Sequence, residues 1–146
     1  MQYDRRFDGM NCRKLKELSA ADSLRRLASV PLGRVVFTRH ALPAVRPVNH
    51  LVTDGQIVIR SSTGTILSAE VAAFEAVVAF EADELDVEER LGWSVVVTGF
   101  AQLVTDPDEA TRLKSMIQPW VMGEMDQVIR IRPEIITGYE LVPAAG

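Results

Sequence analysis

The residues best suited to chemistry lie in the stretch IVIRSSTGTILSAE, residues 57–70. An apolar strand ends there in Arg60, and a helix-like run begins at Ile66. Free backbone N–H groups at the start of a helix bind anions, and a guanidinium offers a phosphate two parallel donors. The hydroxyl-bearing residues that would add donors are Ser61, Ser62 and Thr65. The stretch is therefore a candidate phosphate site, and the alternative is a polar loop with a helix cap and a solvated arginine.

The common catalytic and metal-binding motifs are not found in this sequence. It contains no G-x-S-x-G elbow and no G-x-x-x-x-G-K phosphate loop, and its two histidines lack the H-E-x-x-H spacing. We expect His40 to be an exposed turn residue. His50 lies in a predicted strand, where a structural role competes with a ligand role. The motifs predict no metal site.

Composition limits the class of protein. The 146 residues fit one domain, which we place at 17–146 after a flexible tail at 1–16. A net charge of −4 argues against a nucleic-acid partner. No apolar run reaches the roughly 18–20 residues of a membrane span, and the polar N-terminus does not resemble a secretory signal. The single cysteine excludes an internal disulfide framework, which suits the cytoplasm.

Turn and cap signals predict a mainly β fold. Asp54-Gly55 is typical of a two-residue hairpin turn, and Gly99 of a bulge within a long strand. Predicted helices begin at Ser19 and Asp106, and a third, short helix covers TILSAEVAAF. The chain is predicted to end in two strands, VIRIRP and EIITGYELV, and the acidic stretch ADELDVEERLG is interpreted as a connection. The total of about six strands and three helices favours an antiparallel β-barrel with peripheral helices.

Two strands carry apolar residues at consecutive positions. They read AVVAF and WSVVV, whereas a strand with one solvated face alternates apolar and polar residues. Burial on both faces would explain the pattern. A closed barrel or a partner chain could provide that burial.

Taken in order, these segments resemble the flavin-binding split-barrel family, the pyridoxamine 5′-phosphate oxidase-like proteins. The resemblance covers roughly residues 18–138 and rests on the order of LASVPLGRVVFT, LPAVRPVNHLVTDGQIVIRSSTGT, VVAFEAD, GWSVVVTGFAQLVTDPDE, PWVMG and VIRIRPEIITG. It implies a six-stranded antiparallel split barrel that forms a homodimer. The flavin sites would lie in grooves at the dimer interface.

The resemblance also implies which residues bind the cofactor. Along the isoalloxazine ring, largely through backbone contacts, would lie Pro47, Val48, Asn49 and His50. The phosphate would be held by Arg60, Ser61, Ser62 and Thr65. Near the ring or its ribityl chain, from the partner subunit, would lie Trp93, Ser94 and Trp120. Tryptophan stacks on flat heteroaromatic rings, and core or dimer packing is the alternative for both tryptophans.

The sequence departs from the family at one cofactor position. Family members commonly read G-S/T-K-L where this chain reads GTIL, so Ile66 replaces a phosphate-binding lysine. A lost charge-assisted contact is worth about 1.5–3 kcal/mol, or about tenfold to hundredfold in affinity. The cations that could compensate are Arg46, Arg130 and Arg132, although the last two are also expected on a solvated strand face.

Three functions remain open on this evidence. The first is an FMN-dependent oxidoreductase of unknown substrate, in which the flavin supplies the redox chemistry and no side chain is named as a catalytic acid or base. The second is a relative that uses deazaflavin F420 or haem, with His50 as the candidate axial ligand. The third is a degenerate, non-catalytic dimer that no longer binds flavin tightly, for which Ile66 is the evidence. Pyridoxamine phosphate is not expected as substrate, because the basic C-terminal segment associated with it is missing.

Overall fold

The computed structural model describes residues 12–62, 67, 75–120 and 126–144. The predicted short helix at TILSAEVAAF lies outside these ranges apart from Leu67, as do Thr65 and Ile66. The described elements are β1 (Arg13–Leu18), α1 (Ala20–Ala28), β2 (Leu32–Arg39), β3 (Leu42–Thr53), β4 (Gln56–Ser61), β5 (Ala76–Asp86), β6 (Leu91–Leu103), α2 (Pro107–Met116) and β7 (Gln127–Pro143).

Six of the seven described strands close into a ring. The hydrogen-bonded order is β7-β4-β3-β2-β5-β6, and β6 pairs again with β7. All the pairings are antiparallel. The six-stranded antiparallel barrel expected from the sequence is therefore confirmed. A further strand, β1, lies outside the ring.

Strand β7 joins the barrel to β1. One edge of β7 pairs with β6 along nearly its whole length, while the other pairs first with β4 and then with β1. Strand β1 begins at Arg13, so residues 13–16, which were expected in the flexible tail, pair with β7. The two expected C-terminal strands are one strand. Pro133 is tolerated within it because Pro133 faces the register shift at Gly99, between the β4 and β1 pairings.

The local signals in the sequence are confirmed. Asp54 and Gly55 have φ of 53° and 72°, as a type I′ turn requires. The Ser19 side chain caps α1 by accepting a hydrogen bond from the Asp22 N–H. The expected bulge at Gly99 is present, and a Cβ there would meet the Arg132 carbonyl oxygen at 2.1 Å. Only glycine allows that approach.

The acidic connection is shorter than expected. Strand β5 continues to Asp86, and residues 87–90 alone form the turn to β6. The Asp86 carboxylate accepts hydrogen bonds from the backbone N–H groups of Glu88 and Glu89, both at 3.1 Å. This side-chain-to-backbone bonding fixes the turn. The interpretation of ADELDVEERLG as a solvated connection was therefore wrong for the residues before the turn.

Two apolar clusters hold the fold together. The larger fills the barrel and includes Phe80, Val95 and Ile129. The smaller lies outside the barrel, where α2 packs on β4 and β7, and it consists of Val58, Leu113, Ile117 and Val128. The second cluster fixes the C-terminal end of α2 beside the end of β3, where the candidate site lies.

The outer face of β5 and β6 is not covered by any described element. We call this surface, which includes Val77 and Val96, the bare face. Val77 and Val96 are 62% and 40% exposed, whereas Val78, Phe80 and Val97 are buried in the barrel. The barrel therefore buries one face of each strand, and the expectation of burial on both faces is not met within a single chain. The register aligns Val45, Val36, Ala79, Thr98 and Ile135 in one row across five strands.

Candidate functional site

A cavity of about 260 Å³ lies where β3 and β4 meet the chain leaving α2. Its walls are largely apolar, and Arg60 is the one charged side chain among its described lining residues. The lining consists of Leu32, Pro47, Val48, Asn49, Arg60, Ile117, Pro119 and Trp120. We call this cavity the slot. Apolar walls with a few placed polar groups are typical of cofactor sites.

A second cavity of about 500 Å³ adjoins the slot and has a more polar lining. The two cavities share Asn49, Ile117 and Trp120. The larger cavity adds Pro31, His50, Ser115, Met116 and Gln118. None of the described residues that line it carries a fixed charge. Residues 117–120, which follow α2, therefore form a shared wall, and we call them the wall segment.

Asn49 joins the wall segment to the barrel. Its Oδ1 accepts a hydrogen bond of 2.8 Å from the Trp120 backbone N–H. Its Nδ2 donates to the Pro31 carbonyl at 3.2 Å. The tryptophan side chain itself is 66% exposed, so the anchor acts on the backbone and leaves the indole available to a ligand.

Arg60 contacts the end of α2. Its Nη1 donates to the carbonyl oxygens of Ile117 at 3.1 Å and Lys114 at 3.4 Å. The last carbonyls of a helix have no intrahelical partner and carry partial negative charge. Arg60 therefore stabilises the helix terminus while it lines the slot. The expectation that it faces only the hydroxyl-rich loop was incomplete, because nothing local in the sequence places a helix terminus beside it.

Ser61 and Ser62 follow Arg60 at the end of β4. Ser61 is buried and pairs with Gln127 of β7. Among the described residues, the Gln127 Oε1 is a buried acceptor without a hydrogen-bond partner. Polar groups therefore collect at this end of β4, beside the apolar slot. Thr65, which we expected at the same place, lies outside the described residues.

His50 is held inside the protein. Its Nε2 lies 2.8 Å from the Leu27 carbonyl oxygen, so Nε2 carries the proton that it donates. Its ring meets Phe80 edge-on at 4.9 Å between centroids. Burial lowers the pKa of His50, partly opposed by the bond to Leu27. Nδ1 is buried and has no hydrogen-bond partner among the described residues. Because Nε2 is bonded to Leu27 and Nδ1 is buried, this geometry supports a structural role for His50 rather than that of a haem ligand.

The other expected site residues lie away from the slot in this chain. Trp93 is 4% exposed and belongs to the barrel core. Ser94 lies on the outer face of β6, opposite Asp83 and Tyr139. Arg46 is exposed, and its Nη1 donates to the Val45 carbonyl. The structure thus brings the Pro47–His50 stretch, Arg60 and Trp120 together, and it separates Trp93, Ser94 and Arg46 from them.

The two other arginines proposed to replace the missing lysine are paired with acids. Arg130 forms an ion pair with Glu109 of α2. Arg132 contacts Glu75 and Glu134 and lies over the Phe100 ring. Neither lines the slot. Compensation for Ile66 by these arginines finds no support in their positions.

A charged cluster that the sequence analysis did not identify lies on the bare face of β5. Arg34 is 2.8 Å from Glu81 and 3.6 Å from Asp83. Burial, together with the neighbouring Asp83, raises the pKa of Glu81 to about 7. The alternation of Glu81 and Asp83 along one strand was the available signal, since residues two apart share a face.

Two kinds of feature are absent from the described residues. No group of histidine, cysteine and acidic residues there is arranged to hold a metal ion. No helix there is long and apolar enough to pass through a membrane.

Comparison with known proteins identifies the family. Residues 19–140 match the model of a family described as pyridoxamine 5′-phosphate oxidase. The chain belongs to the pyridoxamine 5′-phosphate oxidase-like family. It is 49% identical over 141 residues to the uncharacterized protein Rv0080 of Mycobacterium tuberculosis. The aligned region covers 94% of this chain and 93% of that protein.

Several solved structures share the fold. An FAD-binding protein from Mycobacterium smegmatis is 33% identical, with a TM-score of 0.71 over 86% of this chain and 98% of that one. A Corynebacterium glutamicum protein provisionally described as a pyridoxamine 5′-phosphate oxidase is 34% identical, with a TM-score of 0.74 over 89% of this chain and 95% of that one. A protein described as binding FAD and haem, also from Mycobacterium smegmatis, shows the fold alone at 16% identity, with a TM-score of 0.67 over 91% of this chain and 77% of that one.

The residues at the slot fit a flavin. A largely apolar cavity with an exposed indole suits an aromatic ring system. The polar side chains among its described lining residues are those of Asn49 and Arg60, which can orient a ligand. Membership of the oxidase-like family and its flavin-binding relatives agree with this reading.

Proposed function

We propose that this protein binds FMN and acts as an FMN-dependent oxidoreductase on a substrate that is still to be identified. The observation that carries the proposal is the slot, in which an apolar cavity, an exposed tryptophan and a polar strand end lie side by side. When bound, a flavin supplies hydride or single-electron chemistry. The protein supplies position, shielding from water and hydrogen bonds.

Each part of the slot has a separate task in this proposal. Pro47 and Val48 form an apolar surface for one face of the ring, and Trp120 offers its indole at the mouth. The ribityl and phosphate groups would lie towards the end of β4, where Arg60 lines the slot and Ser62 follows the strand. No described side chain at the slot is an obvious proton donor, because His50 is neutral and bonded to Leu27.

The experiment is a titration of the purified, cofactor-stripped protein followed by visible absorption and flavin fluorescence. FMN, FAD, F420 and haem are compared at micromolar concentration. A shifted flavin spectrum with FMN supports the proposal. Preference for FAD would point to the ligand of the Mycobacterium smegmatis relative, and a Soret band would support haem. Failure of all four to bind would overturn the proposal and favour the non-catalytic dimer.

We also propose that the protein is a homodimer that forms through the bare face of β5 and β6. The row from Val45 to Ile135 is continuous across five strands, and both end residues are more than half exposed. A symmetric pair of chains would cover such a face. Trp93 and Ser94 lie on β6, the strand that carries this face. We retain the cytoplasm as the expected compartment.

A further inference from the structure

We infer that Asn49 and Arg60 are positioning residues, which hold the wall segment against the slot and affect a bound flavin through that segment. This inference rests on the proposed flavin binding. It assigns Arg60 a role different from the phosphate ligand that the sequence suggested.

The geometry of β4 separates Arg60 from the hydroxyl beside it. Consecutive residues of a strand point to opposite faces. Ser61 pairs with Gln127 on the barrel side, in line with the buried Ile57 and Ile59. The Arg60 guanidinium instead reaches the two carbonyls at the end of α2. Arg60 and Ser61 therefore do not form one cradle on one face.

The wall segment is fixed at both ends. At its start, Ile117 packs in the cluster beneath α2, and its carbonyl accepts the bond from Arg60. At its end, the Trp120 N–H donates to Asn49. Three of the residues that line the slot, Ile117, Pro119 and Trp120, belong to this segment. Losing either anchor should let this side of the slot move.

Asn49 is itself held in place, which is what an anchor requires. Its amide nitrogen bonds to the Pro31 carbonyl, just before β2, while its oxygen holds Trp120. One side chain thus connects the α1–β2 loop, β3 and the wall segment. An aspartate could still accept from Trp120, but it could not donate to Pro31.

The first experiment measures the wall segment without a cofactor. The chain has two tryptophans, of which Trp93 is buried and Trp120 exposed. Labelling with 5-fluorotryptophan therefore gives two fluorine resonances, assigned with Trp120→Phe. We expect Asn49→Leu and Arg60→Gln to move the Trp120 resonance towards that of the free amino acid and leave Trp93 unchanged. Asn49→Asp should retain most of the original position.

The matched control is Gln118→Leu, in the same segment. No hydrogen bond of Gln118 is found among the described residues, so its replacement should leave both resonances in place. An unchanged Trp120 resonance in both anchor variants would overturn the inference. A shift of Trp93 as well would reveal general unfolding, and the inference would then fail for that variant.

The second experiment compares FMN with riboflavin, which lacks the phosphate. A residue that acts through the wall segment should affect both ligands equally. We expect Arg60→Gln to weaken both by about tenfold, the size expected for one charge-assisted hydrogen bond. A loss confined to FMN would show that Arg60 binds the phosphate and would overturn its assignment. If the unaltered protein binds neither flavin, the proposed function fails, while the fluorine resonances still decide whether the anchors hold the segment.

Discussion

Two outer faces of this barrel differ in how far their valine side chains are buried. On β4 and β7, Val58 and Val128 are buried because α2 lies over them. On β5 and β6, Val77 and Val96 remain exposed. Valine is present on both faces, so residue type alone does not distinguish them. The helix makes the first face part of the core, whereas the second face is exposed in the single chain, and we propose that a second copy covers it.

The largest expected effect is the loss of folding stability when the packing of α2 on the first face is weakened. Leu113 is the fully buried residue of α2, and its replacement by alanine should destabilise the protein by about 2–5 kcal/mol. Denaturant unfolding followed by circular dichroism measures this loss. Met116→Ala, on the exposed side of the same helix, should stay within about 0.5 kcal/mol. Equal effects of the two changes would contradict the packing of α2 described above.

Substitutions on the bare face should change self-association and leave folding intact. A charge placed at an apolar interface is strongly unfavourable unless it is paired. We expect Ile135→Asp to weaken self-association by at least about tenfold, since an unpaired buried charge costs several kcal/mol. Analytical ultracentrifugation measures it, and circular dichroism should show an intact fold. Val87→Asp, in the exposed β5–β6 turn, is the control and should not alter association. A dimer that tolerates Ile135→Asp would place the interface elsewhere.

The smallest expected effect is on the pH dependence of stability. Glu81 on the bare face and His50 in the interior should contribute to it with opposite signs. The folded-state pKa of Glu81 is about 7, above its ordinary 4.5, so its contribution to the free energy of unfolding falls as pH rises between these values. Burial lowers the pKa of His50, so its contribution falls as pH drops below its ordinary 6.5. Denaturant unfolding at a series of pH values from 4.5 to 7 measures the sum of these two contributions to the free energy of unfolding. Glu81→Gln should make stability rise more steeply with pH, and an unchanged slope would contradict the Glu81 assignment.

Local signals in the sequence predicted local structure well. The Asp54-Gly55 turn, the Ser19 cap and the Gly99 bulge each depend on a few neighbouring residues, and each is confirmed. The pyridoxamine 5′-phosphate oxidase-like family and its split barrel were also predicted, from the order of the segments rather than from any single motif.

The contacts that define the slot could not be predicted in the same way. Arg60 meets Ile117 across 57 positions of sequence, and Asn49 meets Trp120 across 71. Such pairs depend on how α2 packs over β4, which neither the strand alternation nor the caps specify. The same limit explains why the cluster of Arg34 with Glu81 was missed, since it joins two strands 47 positions apart.

The position of β7 in the barrel has a consequence for biosynthesis. It borders β1, β4 and β6, so three strands made earlier each have an edge that stays open until β7 leaves the ribosome. Pairings between distant parts of a chain form slowly, and open strand edges invite association with other chains. The ring can therefore close only after β7, residues Gln127–Pro143, has emerged from the ribosome. A nascent chain stalled before that point should depend on chaperones far more than one released at full length.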